Sequence, residues 1–261
     1  MNRIDKKFRE LRRAHKKAFI AFITAGYPNL QTTRKLILEF AKKGVDIIEL
    51  GVPFSDPLAD GPIIQEASQK SLERNTHLID ILRLVKGVRH SVDIPLCLMT
   101  YFNPVFCFGE KKFIDQAASC GVDGLILPDL TPEEGISFAR YARKKELNII
   151  YFLSPTSTPK RMKYISGISR GFIYYVSLTG VTGARKDLPT DIIQKIRAIK
   201  KITAKSVCVG FGVSRPEQVR QIQKFADGVI VGSAIIQKIK QHIQDPRLVQ
   251  KVSQFVSYLK S

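Results

Sequence analysis

Long apolar runs are missing from this chain of 261 residues. None approaches the ~20 residues that span a bilayer, and the longest stretch, Ala18 to Ala25, is a strand's length. The first residues are charged and hold no apolar signal core, so an unprocessed, cytoplasmic chain without a membrane partner is expected. Cysteine is sparse: Cys97, Cys107, Cys120 and Cys208 are scattered and form no C-x-x-C. That argues against a disulfide framework or a zinc site and for reduced, mostly buried thiols. The four histidines, His15, His77, His90 and His242, also lack ligand spacing, and none directly follows a strand pattern. Neither a metal nor a histidine general base is expected.

Acidic residues are few as well, 23 against 42 Lys and Arg, for a net charge of +19. Such an excess raises the question of a nucleic-acid partner. One basic cluster runs from Arg3 to Lys17 and another from Lys195 to Lys205. Within the first, however, Ile4, Phe8 and Leu11 recur at helical spacing, which makes an amphipathic helix with a solvated basic face. No base-stacking aromatics interleave the lysines. A general pull on an anionic substrate is the milder inference, and no nucleic-acid partner is expected.

What is present is 44% hydrophobic and 25% charged, ordinary globular material. Strand patterns cover 19–23, 45–50, 94–99, 124–127, 148–153, 172–177, 206–210 and 228–231. Pro95 must then lie at the very start of the third. Helical patterns fall between them, including 63–72, 78–88, 111–120, 132–145, 159–168, 191–200 and 216–225. Three joints rhyme, Gly44-Val45-Asp46, Gly121-Val122-Asp123 and Ala226-Asp227-Gly228, and each puts a glycine where a left-handed helix cap is wanted. Eight strands alternating with helices in this length predict an α/β fold, a single (β/α)₈ barrel with an extra N-terminal helix, over 1–261. A doubly wound open sheet is the alternative.

In a barrel, chemistry lives at the C-terminal strand ends. Val45, Ile47 and Glu49 share one face of the second strand, so Glu49 ends a run of aliphatic neighbours. The loop that follows is stiffened by Gly51, Pro53, Pro57, Gly61 and Pro62 and carries Asp56 and Asp60. Buried and loop carboxylates together suit proton transfer; a solvent-facing Glu in an Asp-rich turn is the plainer alternative. The last three strands end in Gly180-Val181-Thr182-Gly183, Gly210-Phe211-Gly212 and Gly232-Ser233. Their backbone amides and a helix N-terminus could hold a phosphate, or the glycines could merely make tight turns.

Glu49 followed by Leu50-Gly51-Val52-Pro53-Phe54-Ser55-Asp56-Pro57-Leu58-Ala59-Asp60-Gly61-Pro62 resembles the signature of the tryptophan synthase alpha subunit family. Gly180 to Ala184, Gly210-Phe211-Gly212 and Val231-Gly232-Ser233-Ala234 resemble its other motifs, in the same order and spacing from Phe19 to about Ile236. The resemblance implies a lyase of tryptophan biosynthesis that splits indole-3-glycerol phosphate into indole and glyceraldehyde 3-phosphate. It implies Glu49 and Asp60 as catalytic residues. It assigns the phosphate to Gly183, Phe211, Gly212, Gly232 and Ser233, and the indole pocket to Phe22, Met99, Tyr101, Leu127 and Tyr174. Met99 departs from the leucine expected there. A beta subunit carrying pyridoxal phosphate is the implied partner in an α₂β₂ assembly, touching Pro53, Asp56 and the Asn103-Pro104 turn; this chain itself is expected to need no cofactor.

The residues suit that chemistry in their own right. Glu49, among aliphatic neighbours, would have a raised pKa and move protons between indole C3 and the C3′ hydroxyl. Asp60 would stay ionised and take the N1–H hydrogen bond. Thr182, between Gly180 and Gly183, is the candidate lid residue. A phosphosugar aldolase or isomerase would want a lysine within a strand, and none is predicted. An alpha subunit that is silent and only activates its partner is the other alternative.

Overall fold

The computed structural model describes residues 1–176, 190–210 and 212–261. In chain order it holds α1 (Arg3–Arg13), β1 (Ala18–Thr24), α2 (Leu30–Lys42), β2 (Ile47–Gly51), α3 (Pro62–Leu72), α4 (Leu78–Arg89), β3 (Leu96–Met99), α5 (Phe102–Phe108), α6 (Glu110–Cys120), β4 (Gly124–Ile126), α7 (Ile136–Lys144), β5 (Asn148–Ile150) and β6 (Phe152–Leu153). Then follow α8 (Pro159–Ile168), β7 (Phe172–Val176), α9 (Thr190–Ile202), β8 (Ser206–Gly210), α10 (Pro216–Gln223), β9 (Gly228–Val231), α11 (Ser233–Gln241) and α12 (Leu248–Lys260). Every strand pairing is parallel, in the order β5-β4-β3-β2-β1-β9-β8-β7-β6. The two ends of that order, β5 and β6, are separated in sequence only by Tyr151, so the sheet closes on itself through the segment 148–153, the expected fifth strand. This is the expected (β/α)₈ barrel and not an open sheet.

Strand alternation sorts the core into two compartments. Ala18, Ile20, Ile47, Cys97, Ile126, Ile150, Phe172, Cys208 and Ile230 fill the barrel, while Ile48, Leu50, Leu98, Leu125 and Val229 face the helices. The predicted N-terminal helix is α1, and its apolar stripe plugs the barrel's bottom: Ile4, Phe8 and Leu11 are buried in the inner cluster. Asn2 anchors it. Its side chain accepts from the Ile4 amide at 2.9 Å and donates to the carbonyls of Asp123 and Glu146, both at 2.7 Å.

The rhyming joints share an acid rather than a glycine. Gly44 and Gly121 do take the left-handed conformation (φ +69° and +89°), but Gly228 is the first residue of β9 and caps nothing. In all three joints the aspartate clasps one residue of the neighbouring strand from both sides. The amides of Asp46, Asp123 and Asp227 donate to the carbonyls of Phe19, Leu96 and Val207. Their carboxylates accept from the amides of those same residues, at 2.8, 2.9 and 3.1 Å. Arg3 and Arg89 neutralise Asp123, and Lys17 and Lys200 neutralise Asp227, which draws both basic sequence clusters to this end of the barrel.

Three further differences have local causes. The predicted helix over 132–145 starts only at Ile136, because Thr131 folds onto Glu134 through its hydroxyl and makes a turn first. Pro95 lies just outside β3, where its carbonyl still accepts from Ile48. Asn103-Pro104, expected as a turn, lies in the first turn of α5, where proline needs no amide partner.

The Arg89–Asp123 pair is nearly sealed from water, with side chains 10% and 4% exposed. Asp123→Asn, which takes the carboxylate from a buried guanidinium that keeps its bonds to the Gly121 and Ile94 carbonyls, is expected to cost about 3 kcal/mol of unfolding free energy in urea titrations. A loss below about 1 kcal/mol would show that the joint does not depend on the charge.

Candidate active site

Glu49 lies opposite Phe22 on β1 and Cys97 on β3, inside the barrel near the C-terminal end of β2. It is 0% exposed, and neither carboxylate oxygen has a hydrogen-bond partner among the described residues. Its surroundings cannot stabilise charge. The thiols of Cys97 and Cys208 are themselves fully buried and held well above their ordinary pKa, in part by this carboxylate. Desolvation alone pushes Glu49 up to about 8.

Asp60 comes from the loop between Gly51 and α3, and that loop is pinned rather than free. The Val52 amide donates to the Met99 carbonyl at 2.8 Å, Asp60 N to Pro57 O at 3.0 Å, and Gln65 Nε2 to Asp60 O at 2.8 Å. The decisive clamp is Tyr101. Its hydroxyl accepts from the Ala59 amide at 2.9 Å and donates to Asp60 Oδ2 at 3.1 Å, while its ring packs on Phe54 at 5.2 Å. Burial raises Asp60 to about 6 against the lowering effect of that hydrogen bond. Tyr101 is aimed in turn by α5, whose first amide, at Phe102, donates to both oxygens of Asp129 at 2.9 Å. Sequence reasoning placed Tyr101 in the indole pocket but missed this clamp and the Asp129 cap. Partners 41 and 27 residues apart leave no local signal.

Both acids bear electrostatically on Tyr174. Alternation along β7 turns Phe172 and Tyr174 inward, and burial together with the carboxylates of Glu49 and Asp60 holds the Tyr174 hydroxyl well above its usual pKa. Its ring packs on Phe152, with centroids 4.9 Å apart. Two glycines from the late motifs, and Gly51, make room for rings. A Cβ at Gly210 would come within 2.7 Å of the Tyr174 ring, and Cβ atoms at Gly51 and Gly232 within 2.5 and 3.1 Å of the Phe22 ring. Phe22 and Leu127 are buried in one apolar cluster, and Met99 packs against it.

Gly232 is the N-cap of α11 and Ser233 its first residue, so the free amides of that turn open at the end of β9, beside β1. Gly212 is exposed, at φ +32°. Thr182, Gly183 and Phe211 lie outside the described residues. Of the positions expected to touch a partner, Asp56 and Asn103 are exposed and Pro104 is half-buried. Pro53 is buried, because the Val52–Met99 hydrogen bond draws the loop's first residues inward.

A cleft of about 660 Å³ lies at the other end, between α1 and α2, but its Arg3–Asp93 and Lys7–Glu10 charges pair with each other. Among the described residues no three His, Cys, Asp or Glu side chains are grouped to hold a metal ion. Among the described residues no strand contains a lysine.

Comparison with known proteins points the same way as this geometry. A family model described as "Tryptophan synthase alpha chain" matches residues 8–260. The tryptophan synthase alpha chain of Thermoanaerobacter pseudethanolicus is 44% identical over 260 residues, covering 100% of this chain and 99% of the relative. That of Geotalea uraniireducens is 46% identical over 261 residues, covering 100% and 97%. Among solved structures, tryptophan synthase subunit alpha from Legionella pneumophila superposes with a TM-score of 0.93 at 37% identity, covering 100% of this chain and 97% of that one. An open form of tryptophan synthase from M. tuberculosis gives 0.88 at 31%, covering 100% and 99%.

A buried carboxyl whose folded pKa stands above its unfolded value binds more protons in the folded state. Its contribution is therefore lost as pH rises from about 4.5 to about 8. Relative to Glu49→Gln, wild-type stability is expected to fall by on the order of 4 kcal/mol between pH 5 and pH 8.5 in urea titrations. Parallel pH curves for the two proteins would remove the desolvated carboxyl from the site.

Proposed function

We propose, from the premise that this chain belongs to the tryptophan synthase alpha chain family, that Glu49 and Asp60 carry out its lyase reaction. That reaction is the retro-aldol cleavage of indole-3-glycerol phosphate into indole and glyceraldehyde 3-phosphate. One observation carries the assignment: a carboxyl sealed inside the barrel at the end of β2 and a second in the loop that follows both have raised pKa, and the deeper one has no hydrogen-bond partner among the described residues.

The chemistry follows from the two environments. Glu49, at about 8, is mostly protonated near neutral pH and can give its proton to indole C3. Asp60, at about 6, is mostly ionised, accepts the N1–H hydrogen bond and stabilises the positive charge that C3 protonation puts on the ring. The C3–C3′ bond then breaks with its electron pair returning to the ring. Glu49, now a carboxylate, takes the C3′ hydroxyl proton as that carbon becomes the aldehyde. One proton leaves Glu49 and one returns. Phe22, Met99, Tyr101, Leu127 and Tyr174 supply the apolar walls for the ring, and the turn at Gly232-Ser233, with Gly212, the phosphate site.

A beta subunit carrying pyridoxal phosphate is the proposed partner, in an α₂β₂ assembly that receives the indole. Leu58 (94% exposed), in the loop after β2, and Phe106 (65%), in α5 after β3, stand out at the site's end of the barrel, near Asp56 and Asn103 respectively. Large apolar side chains so exposed suit a surface covered by another chain. Among the described residues no helix is long and apolar enough to cross a membrane, and a cytoplasmic location fits the reaction. Against a silent alpha subunit stands the buried Glu49, whose raised pKa suits it to proton transfer.

Indole release from indole-3-glycerol phosphate is expected to drop 10²- to 10⁴-fold in Glu49→Gln and in Asp60→Asn. A near-wild-type rate in either variant sinks that residue's role. Leu58→Asp is expected to weaken binding of a beta subunit at least tenfold in titration calorimetry while sparing cleavage by the free chain; unchanged affinity would move the interface elsewhere.

A further inference from the structure

Thr24 is a second interior polar side chain without a hydrogen-bond partner among the described residues. The inward residues of β1 are Ala18 and Ile20 in the barrel's inner cluster, then Phe22 and, at the strand's end, Thr24. Thr24 is 1% exposed, and its hydroxyl has no hydrogen-bond partner among the described residues. It lies opposite Gly51, one two-residue step, or about 7 Å, nearer the mouth than the Phe22–Glu49 pair.

Its strand also occupies the right place. β1 stands between β2, which carries Glu49, and β9, which runs into the open turn of α11. A ligand reaching from Glu49 to Gly232 and Ser233 must cross the end of β1. The Phe22 ring fills the space over Gly51 and Gly232, so the one polar side chain that β1 presents along that path is Thr24. A glyceryl phosphate chain lying there has its C3′ hydroxyl at Glu49 and its phosphate at α11. The C2′ hydroxyl falls one carbon toward the mouth, between the level of Glu49 and that of Thr24, within reach of a threonine side chain.

We propose that the Thr24 hydroxyl is a substrate-positioning group that hydrogen-bonds the C2′ hydroxyl of the glyceryl chain. This rests on the functional assignment above. A threonine can both donate and accept, which a hydroxyl partner requires. A buried hydroxyl left unpaired in the free protein and paired by substrate contributes to binding without a competing internal bond to break.

The test pairs two proteins with two substrates. Wild type and Thr24→Val are assayed on indole-3-glycerol phosphate and on its analogue lacking only the C2′ hydroxyl, which retains the C3′ hydroxyl needed for cleavage. Wild type is expected to prefer the full substrate about tenfold in kcat/KM, mainly through KM, and Thr24→Val to lose that preference while handling the analogue like wild type. Thr24→Ser should restore it. The isosteric valine should melt at or above the wild-type temperature, since it removes an unpaired buried hydroxyl. Equal losses on both substrates, or none on either, overturn the proposal while leaving the lyase assignment intact. A wild-type protein that cleaves neither substrate overturns the assignment and this proposal with it.

Discussion

A carboxyl held dry and alone inside the barrel is what the rest of this structure serves. Glu49 makes no hydrogen bond within the described residues, and its neighbours are thiols, aliphatic groups and rings. Water is kept from below by α1, whose Ile4 and Phe8 close the barrel 40 and more residues away in sequence. From the side it is kept out by Phe22 and Tyr174, which lean over glycines that would otherwise carry clashing side chains. The free energy lost by leaving a carboxyl unsatisfied is recovered as basicity once it ionises.

The two ends of the barrel divide stability from function. At the bottom, Asp46, Asp123 and Asp227 are each satisfied twice over by one residue of a neighbouring strand, and Asp123 and Asp227 pair with cations as well. Part of the large positive charge is spent there, on pinning joints. At the top, among the described residues, Glu49 and Thr24 have no hydrogen-bond partner, and the Asp60 carboxylate accepts from Tyr101. Buried polar groups of the same chemical type thus behave oppositely. Each bottom carboxylate accepts from a backbone amide, whereas among the described residues Glu49 and Thr24 at the top accept from none.

Loop geometry couples the site to the surface proposed for a partner. Asp129 fixes the start of α5, Tyr101 then clamps Ala59 and Asp60, and the same loop carries the exposed Leu58. A protein docking on Leu58 and on Phe106 of α5 would press on both sides of the Tyr101–Asp60 hydrogen bond. Any effect it has on catalysis has a short route.

Much of this was legible in the order of residues. Period-two alternation put Glu49 on the inner face with Ile47, the 3.6 period at Ile4, Phe8 and Leu11 made the plugging helix, and strand–helix alternation gave the barrel. Those patterns depend on neighbours in the chain, so the chain alone determined them. The Tyr101 clamp, the Asp129 cap, the aspartate clasps, the burial of Pro53 and the empty hydrogen-bonding capacity of Thr24 were decided only by the tertiary structure. Each depends on which groups from distant strands arrive within about 3 Å of one another, and closure of the sheet fixes that, with no trace in local periodicity.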